Sequence, residues 1–172
     1  MKTVKVQGQE IQVPETSAFS IKTGPMLLKM HQNMLVLGKR GSGKSVAITN
    51  YLRMLQEDKK LDRIFVISPT FHSNRVIMEQ LGIDENDVFD PAVDPNLMLE
   101  FFNTVTNTFE APKPKYKHSG PPILALFVDD CQSTPLFRAQ SFLNFITRHR
   151  HIGAFPEGGA LGVSVFIALQ NF

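Results

Sequence analysis

The sequence lacks the features that mark secreted, disulfide-bonded and membrane-spanning proteins. It contains one cysteine, Cys131, so no disulfide can form within the chain, which suits a reducing compartment. Its longest uninterrupted apolar run, residues 123–128, is far too short to span a bilayer. The N-terminal residues have no apolar core of the signal-peptide kind. We therefore expect a soluble domain of intracellular type.

The numbers of positive and negative residues are nearly equal, so net charge does not indicate a class of binding partner. Lys and Arg number 18 against 16 Asp and Glu, a formal net charge of +2. A balance that small neither demands nor excludes nucleic acid, so any basic surface must be local. Tryptophan is absent, but 14 phenylalanines predict a core filled with aromatic rings. The length of 172 residues favours one principal domain.

Short apolar runs alternate with stretches of helical spacing along the chain. Residues 3–13 alternate β-branched and polar side chains around Gly8, which predicts a β-hairpin. Further strands are predicted at 19–21, 34–37, 63–68, 123–128 and 162–169, and helices at 45–55, 73–81, 94–109 and 134–148. This alternation predicts an α/β fold with a mostly parallel central sheet covered by helices. We divide the chain into residues 1–25, the hairpin and its connection, and a core of residues 26–172.

The most specific signal is the segment GKRGSGKS, which matches G-x-x-x-x-G-K-[ST] at every fixed position. A predicted strand precedes it and a predicted helix follows, as a phosphate-binding loop requires. The glycines let backbone N–H groups surround phosphate oxygens, and the helix N-terminus points at the same anion. The candidate nucleotide-binding residues are Gly38, Lys39, Arg40, Gly41, Ser42, Gly43, Lys44 and Ser45. We expect Lys44 to reach the β- and γ-phosphates of ATP and Ser45 to offer its hydroxyl to Mg²⁺.

Two adjacent acids, Asp129 and Asp130, follow the most apolar predicted strand. Neighbouring carboxylates at a strand end repel each other and resist burial, so a nearby cation would stabilise them. We predict that Asp129 holds Mg²⁺, directly or through water, and that Asp130 orients or deprotonates the attacking water. The structural alternative is that Asp130 caps the next helix.

The last predicted strand ends in Leu169, Gln170 and Asn171. Some ATPases have an extra strand between the two Walker strands, which are the strand before the phosphate-binding loop and the strand that ends in the acids. In these proteins a polar residue at the end of the extra strand contacts the γ-phosphate or the attacking water. Gln170 is the candidate for this role. The alternative is a surface glutamine with no catalytic part.

Together, the segments LVLGKRGSGKS, FVISPT, LFVDDCQS, ITRHRHIG and FIALQNF resemble the viral genome-packaging ATPases of the poxvirus type. These belong to the HerA/FtsK superfamily of ring-forming DNA translocases. The resemblance covers roughly residues 30–172. It implies a P-loop NTPase fold of the ASCE, RecA-like kind, with three α-β-α layers and ATP and Mg²⁺ as cofactors. It also implies a motor that pumps double-stranded DNA into a preformed capsid.

The resemblance carries further roles onto residues of this chain. Asp129 and Asp130 become the Walker B pair and Gln170 the sensor. The superfamily inserts an arginine finger into the neighbouring subunit's site, for which Arg148 and Arg150 are the candidates, with Arg138 as another. The alternative is that residues 148–151, RHRH, form a solvated helix end, where positive charges suit the helix dipole.

The partners implied by the resemblance are DNA bound without sequence preference, a pentameric or hexameric ring of identical subunits, and a capsid or portal component. The implied location is the virion or the virus factory in the host cytoplasm.

Other readings of the same motifs stay open. A cellular HerA/FtsK-type translocase would share the chemistry and differ in its biology. A P-loop kinase or nucleotide switch acting on a small molecule would use a basic lid, and residues 113–118, KPKYKH, could supply one. A domain that binds ATP only to assemble is the last alternative.

Overall fold

The N-terminal residues form the predicted hairpin. The structure, a computed structural model, describes residues 2–6, 9–13, 27–28, 30–58, 61–71, 75–92, 94, 96–110, 122–152 and 162–170. Strands β1 (Lys2–Val6) and β2 (Gln9–Val13) pair antiparallel, which confirms the hairpin. The strand predicted at 19–21 and the segment 113–118 lie outside the described residues.

Five parallel strands form the central sheet of the described residues, in the order β3-β7-β6-β4-β5. Their bounds are β3 (Asn33–Gly38), β4 (Arg63–Ile67), β5 (Val88–Phe89), β6 (Leu124–Asp129) and β7 (Val163–Gln170). The α-helices are α1 (Lys44–Glu57), α2 (Arg75–Leu81), α3 (Leu97–Glu110) and α4 (Gln140–Arg148). The fold is therefore α/β, consistent with a P-loop NTPase, and β7 lies between β3 and β6 as the interposed strand that the sequence predicted.

Helices cover the sheet on both faces, and each face has its own apolar core. On one face α1 and α2 bury residues at helical spacing, including Ile48, Leu52 and Leu55. On the other face α3 and α4 bury Phe101 and Phe145. β6 is buried along its whole length, because helices cover both of its faces.

Phenylalanines fill the second core, as the composition predicted. The Phe101 ring makes edge-to-face contacts with Phe65, Phe89 and Phe145, at centroid distances of 5.7, 5.6 and 5.1 Å. Edge-to-face geometry suits the ring quadrupole and adds to the burial free energy. These contacts fix α3 against β4 and β5 and against α4.

Two predicted helices begin later than expected. The helix predicted over 134–148 is wrong in its first part, because Pro135–Arg138 is a 3₁₀ turn and Ala139 is extended before α4 begins. Pro135 does open the turn, and the Thr134 hydroxyl accepts a hydrogen bond from the Leu136 N–H. α3 begins at Leu97, because Asp94 forms a turn in which its carboxylate accepts from the Asn96 N–H.

None of the described helices is both long enough and apolar enough to cross a membrane.

An ion pair stabilises the edge of the sheet near β5. The Arg63 guanidinium donates twice to the Asp87 carboxylate, at 2.8 and 2.6 Å, and once to the Thr108 hydroxyl at 2.9 Å. It also lies over the Phe65 ring, 5.1 Å from its centroid. Asp87 is buried, whereas the Arg63 side chain is about one-third exposed. The pair thus connects β4, the 3₁₀ turn at Glu85–Asp87 and α3.

We predict that Arg63→Ala lowers the free energy of unfolding by about 3 kcal/mol, because it leaves the buried Asp87 carboxylate without its cation. The matched control is Arg53→Ala, which removes an exposed partner 3.7 Å from Glu57 and is expected to cost less than about 1 kcal/mol. Urea denaturation of both variants measures the difference. Equal, small losses would show that the buried pair contributes little.

Candidate nucleotide-binding site

The phosphate-binding loop connects the end of β3 to the start of α1. Gly43 has a φ of 82°, a left-handed conformation that favours glycine, and α1 begins at the next residue. At Gly38 the constraint is space, since a Cβ there would lie 2.7 Å from the Ser42 hydroxyl oxygen. The backbone conformation at Gly43 and the close packing at Gly38 therefore both favour glycine in this loop.

Lys44 folds back over the loop that precedes it. Its ammonium Nζ donates to the backbone carbonyl of Lys39 at 2.9 Å, and its side chain is buried. The cation thus lies across the concave side of the loop, at the N-terminus of α1. Both features attract an anion to the same place.

The first acid of the pair is in direct contact with the loop helix. The Ser45 hydroxyl donates to the Asp129 carboxylate at 2.7 Å, which joins α1 to the end of β6. Burial raises the pKa of Asp129, and the charge of Asp130 raises it further, while the Ser45 hydrogen bond lowers it. A hydroxyl and a carboxylate are oxygen donors of the kind that Mg²⁺ prefers, so the pair fits a magnesium ion.

The second acid points to two neighbouring strand ends. The Asp130 carboxylate accepts from the Gln170 side-chain amide at 2.7 Å and more weakly from the Thr70 hydroxyl at 3.4 Å. The capping alternative is wrong, because the Asp130 side chain makes no capping hydrogen bond to the 3₁₀ turn at Cys131–Ser133. Gln170 is half-buried and its amide is hydrogen-bonded to Asp130, while its catalytic part stays a prediction.

The register of the sheet explains why these groups meet. Gly38 at the end of β3 lies opposite Gln170 at the end of β7, and Asp129 lies opposite Ala168. The carboxyl ends of parallel strands share one edge, so the loop, the acids and the glutamine converge there. A cavity of about 300 Å³ opens between Arg40, Gly41, Gly43, Lys44, Ser45, Val46, Asp130 and Gln170.

Sequence reasoning missed Thr70 as a neighbour of the site. It lies just after β4, in the segment FVISPT, whose strand end reaches the same edge of the sheet. A polar residue two positions after the strand predicted at 63–68 was the available signal, but Pro69 between strand and threonine made its direction unpredictable.

Cys131 lies beneath the acids and has a structural role. Its thiol donates to the carbonyls of Ile67 and Asp129 at 3.3 and 3.2 Å, which ties the ends of β4 and β6 together. Burial raises the pKa of this thiol above its ordinary value. A buried, protonated thiol is a poor nucleophile, so catalysis through Cys131 is not indicated.

The candidate arginines lie away from this cavity in their own protomer. Arg150 donates from Nε to the carbonyl of His31 at 3.1 Å, at the amino end of β3. The six residues of β3 span about 20 Å between that contact and the loop. His31, His149 and Arg150 lie together here. Burial lowers the pKa of both histidines, so Arg150 carries the positive charge of these three side chains near neutral pH. Arg138 and Arg148 are exposed and do not line the cavity.

Residues 2–102 match the family described as the P-loop containing dynein motor region. The match covers more than half of the chain and includes the complete phosphate-binding loop. The chain belongs to this family. It is a P-loop motor domain of the AAA type, a class with ATP-driven activity whose members commonly form rings. No curated protein matches the chain.

The family match ends before β6 and β7. Asp129, Asp130 and Gln170 lie beyond the matched residues, so their roles as Walker B acids and sensor stay predictions. The match shows the coarser class, an ATP-binding motor domain, and does not extend to the viral packaging ATPases.

We predict that Gly38→Ala weakens ATP binding about tenfold or more, since the new Cβ overlaps Ser42 Oγ and displaces the loop. Adding Ser42→Ala removes that oxygen and is expected to restore most of the affinity. Calorimetric titration with ATP measures both variants. The steric explanation is wrong if the double variant binds no better than Gly38→Ala alone.

Proposed function

We propose that this P-loop motor domain hydrolyses ATP to translocate double-stranded DNA, in packaging a viral genome into a preformed capsid. The observation that supports hydrolysis is the Asp130 carboxylate, which lines the loop cavity and accepts hydrogen bonds from Gln170 and, more weakly, from Thr70. A domain that only bound a nucleotide would have no need of an oriented carboxylate there. The packaging role is supported by the resemblance of the segments around the loop, the acids and the final strand.

Binding begins at the loop, where backbone amides and Lys44 receive the triphosphate. Lys44 must exchange its hydrogen bond to the Lys39 carbonyl for phosphate oxygens. Ser45 and Asp129 would hold Mg²⁺, which neutralises charge on the phosphates when it is bound. The hydrogen bond between half-buried Ser45 and buried Asp129 orients both oxygens before the nucleotide arrives.

Hydrolysis requires a water placed in line with the γ-phosphate. Gln170 donates to one oxygen of Asp130 and fixes the direction of the carboxylate. Asp130 then accepts a hydrogen bond from the water and takes its proton as the water attacks. The amide of Gln170 thereby connects the position of β7 to the reactivity of Asp130.

A neighbouring subunit would supply the arginine finger. The described cavity contains Arg40 and Lys44 from the loop, but none of Arg138, Arg148 and Arg150. An arginine inserted from a second copy would stabilise charge on the transferring phosphoryl group. Exposed Arg148 and Arg150 remain the candidates, and hydrolysis would then depend on assembly.

The proposed motor would bind DNA through its phosphate groups. Such contacts are insensitive to sequence and release condensed counterions, so binding falls steeply with salt. With a net charge of only +2, the basic surface must be concentrated locally, as a ring lined by the same residues of each copy would achieve.

We predict that Asp130→Asn retains ATP affinity and loses hydrolysis by about a hundredfold or more, because the amide cannot accept the proton. Glu79→Gln, on the exposed face of α2, is the matched control and is expected to hydrolyse ATP normally. Steady-state phosphate release and ATP titration give the two readouts. Near-normal turnover in Asp130→Asn would remove this residue from catalysis.

We also predict that long double-stranded DNA stimulates ATP hydrolysis by the wild-type chain and that added salt abolishes the stimulation. Phosphate release is measured with DNA of unrelated sequences, which should stimulate equally. Hydrolysis that is indifferent to DNA at low salt would contradict the translocase assignment and favour the small-molecule kinase or assembly switch.

A further inference from the structure

The 3₁₀ turn that follows α4, His149–His151, is held against the amino end of β7. The buried His149 ring contacts the carbonyl oxygen of Val163 through Nδ1 at 2.7 Å. One residue before that strand, the Gly162 N–H donates to the carbonyl of Ile152 at 2.9 Å. The backbone of the turn is therefore fixed to the sheet on both sides.

Arg150, in the middle of this turn, has its guanidinium anchored at one nitrogen. Nε donates to the carbonyl of His31 at 3.1 Å, while the side chain as a whole is exposed. The two terminal nitrogens make no hydrogen bond with a described residue. With Nε held, these two nitrogens present the planar pair of donors that matches two oxygens of a phosphate group.

The other two candidate arginines lack such an anchor. Arg138 and Arg148 are exposed, and neither donates a hydrogen bond to any residue that the structure describes. A free arginine side chain must lose its rotamer freedom when it contacts a partner, whereas Arg150 has lost part of that freedom on folding. Of the three, Arg150 is the one whose charged group is placed before a partner arrives.

His31, which supplies the accepting carbonyl, has an unusual backbone conformation. Its φ is 57°, in the left-handed region that residues with a side chain adopt only at an energetic cost. Two hydrogen bonds with β7 maintain it. The His31 N–H donates to the hydroxyl of buried Ser164 at 2.9 Å, and the Val165 N–H donates to the carbonyl of Gln32 at 2.7 Å. These contacts hold the His31 carbonyl where Arg150 reaches it.

The His31 ring packs against Gly162, which leaves no room for a larger residue. A Cβ at Gly162 would lie 2.7 Å from the ring Cγ, so it would displace His31. Burial lowers the pKa of His31, and the charges of His149 and Arg150 lower it further, so the ring is neutral near neutral pH. A neutral ring does not repel the guanidinium, and the small size of Gly162 is what permits the anchoring hydrogen bond.

The anchored arginine cannot act on its own protomer's nucleotide. The six residues of β3 separate its anchor from the phosphate-binding loop by about 20 Å. We propose that the His31 carbonyl is the positioning group that holds Arg150 as the arginine finger for the nucleotide of a neighbouring subunit. This role rests on the proposed function, because it requires hydrolysis at a shared site. A phosphate of DNA would satisfy the same two donors, so the experiment separates the two sources of phosphate.

Gly162→Ala tests the positioning, because the new Cβ displaces His31 while Arg150 itself is retained. We expect phosphate release to fall about tenfold or more, both with and without DNA, at unchanged ATP affinity. Gly82→Ala is the matched control. Gly82 also has a positive φ, of 59°, but no atom lies within 4 Å of its Cβ position, so this variant is expected to hydrolyse ATP normally. Urea denaturation of both variants verifies that each is folded.

Two rescues distinguish positioning from a merely structural role. Adding His31→Gly to Gly162→Ala removes the ring, keeps the carbonyl and suits the left-handed backbone, so the double variant should regain most of the activity. Mixing Gly162→Ala with Lys44→Ala should also restore hydrolysis, since the first supplies an intact nucleotide site and the second an intact finger. A substitution that only distorted β7, and Gln170 with it, would not be rescued by the mixture.

Normal hydrolysis by Gly162→Ala would overturn the positioning role of His31 and leave the motor assignment standing, and so would a loss that neither rescue restores. A loss confined to the DNA-stimulated rate would assign Arg150 to DNA and overturn the proposal. Arg150→Ala mixed with Lys44→Ala tests the finger itself. Without rescue in that mixture the finger in trans fails, and the role of His31 with it, whereas wild-type hydrolysis that is indifferent to DNA contradicts only the translocase.

Discussion

The hydrogen bond from Ser45 to Asp129 is the contact on which the rest of the site depends. It joins the first turn of α1 to the end of β6, across the intervening strand β7. Because Gly38 and Gln170 are paired in register, the same alignment brings Gln170 to Asp130. The loop supplies positive potential and the strand ends supply the acids. Either group alone would be an unfavourable concentration of charge, and at the shared strand edge the two groups offset each other.

Much of this arrangement could be predicted from the residues. The loop motif suits its own geometry, since Gly43 is left-handed and a Cβ at Gly38 would meet the Ser42 hydroxyl. The wholly apolar run before Asp129 identifies a central strand, and alternation with helices makes the sheet parallel. Parallel strands then place their carboxyl ends at one edge. The contact of Gln170 with Asp130 follows from that rule together with a strand interposed between the two Walker strands.

The remaining features depend on tertiary contacts that no local pattern records. Ala139 is a good helix former, yet it is extended between a 3₁₀ turn and α4. Thr70 meets Asp130 only because the chain bends after β4, and Asp130 itself adopts a φ of 55° that composition does not indicate.

The affinity of the ATP-bound protein for Mg²⁺ tests the central claim most directly. Mn²⁺, followed by electron paramagnetic resonance, can replace Mg²⁺ as the probe, with Ser45→Ala and Asp129→Asn compared against the wild type. If these two oxygens hold the metal, both variants bind the ion markedly more weakly while metal-free ATP binding changes little. Unchanged metal affinity in both variants would contradict the account, because the contact between loop and strand would then have only a structural role.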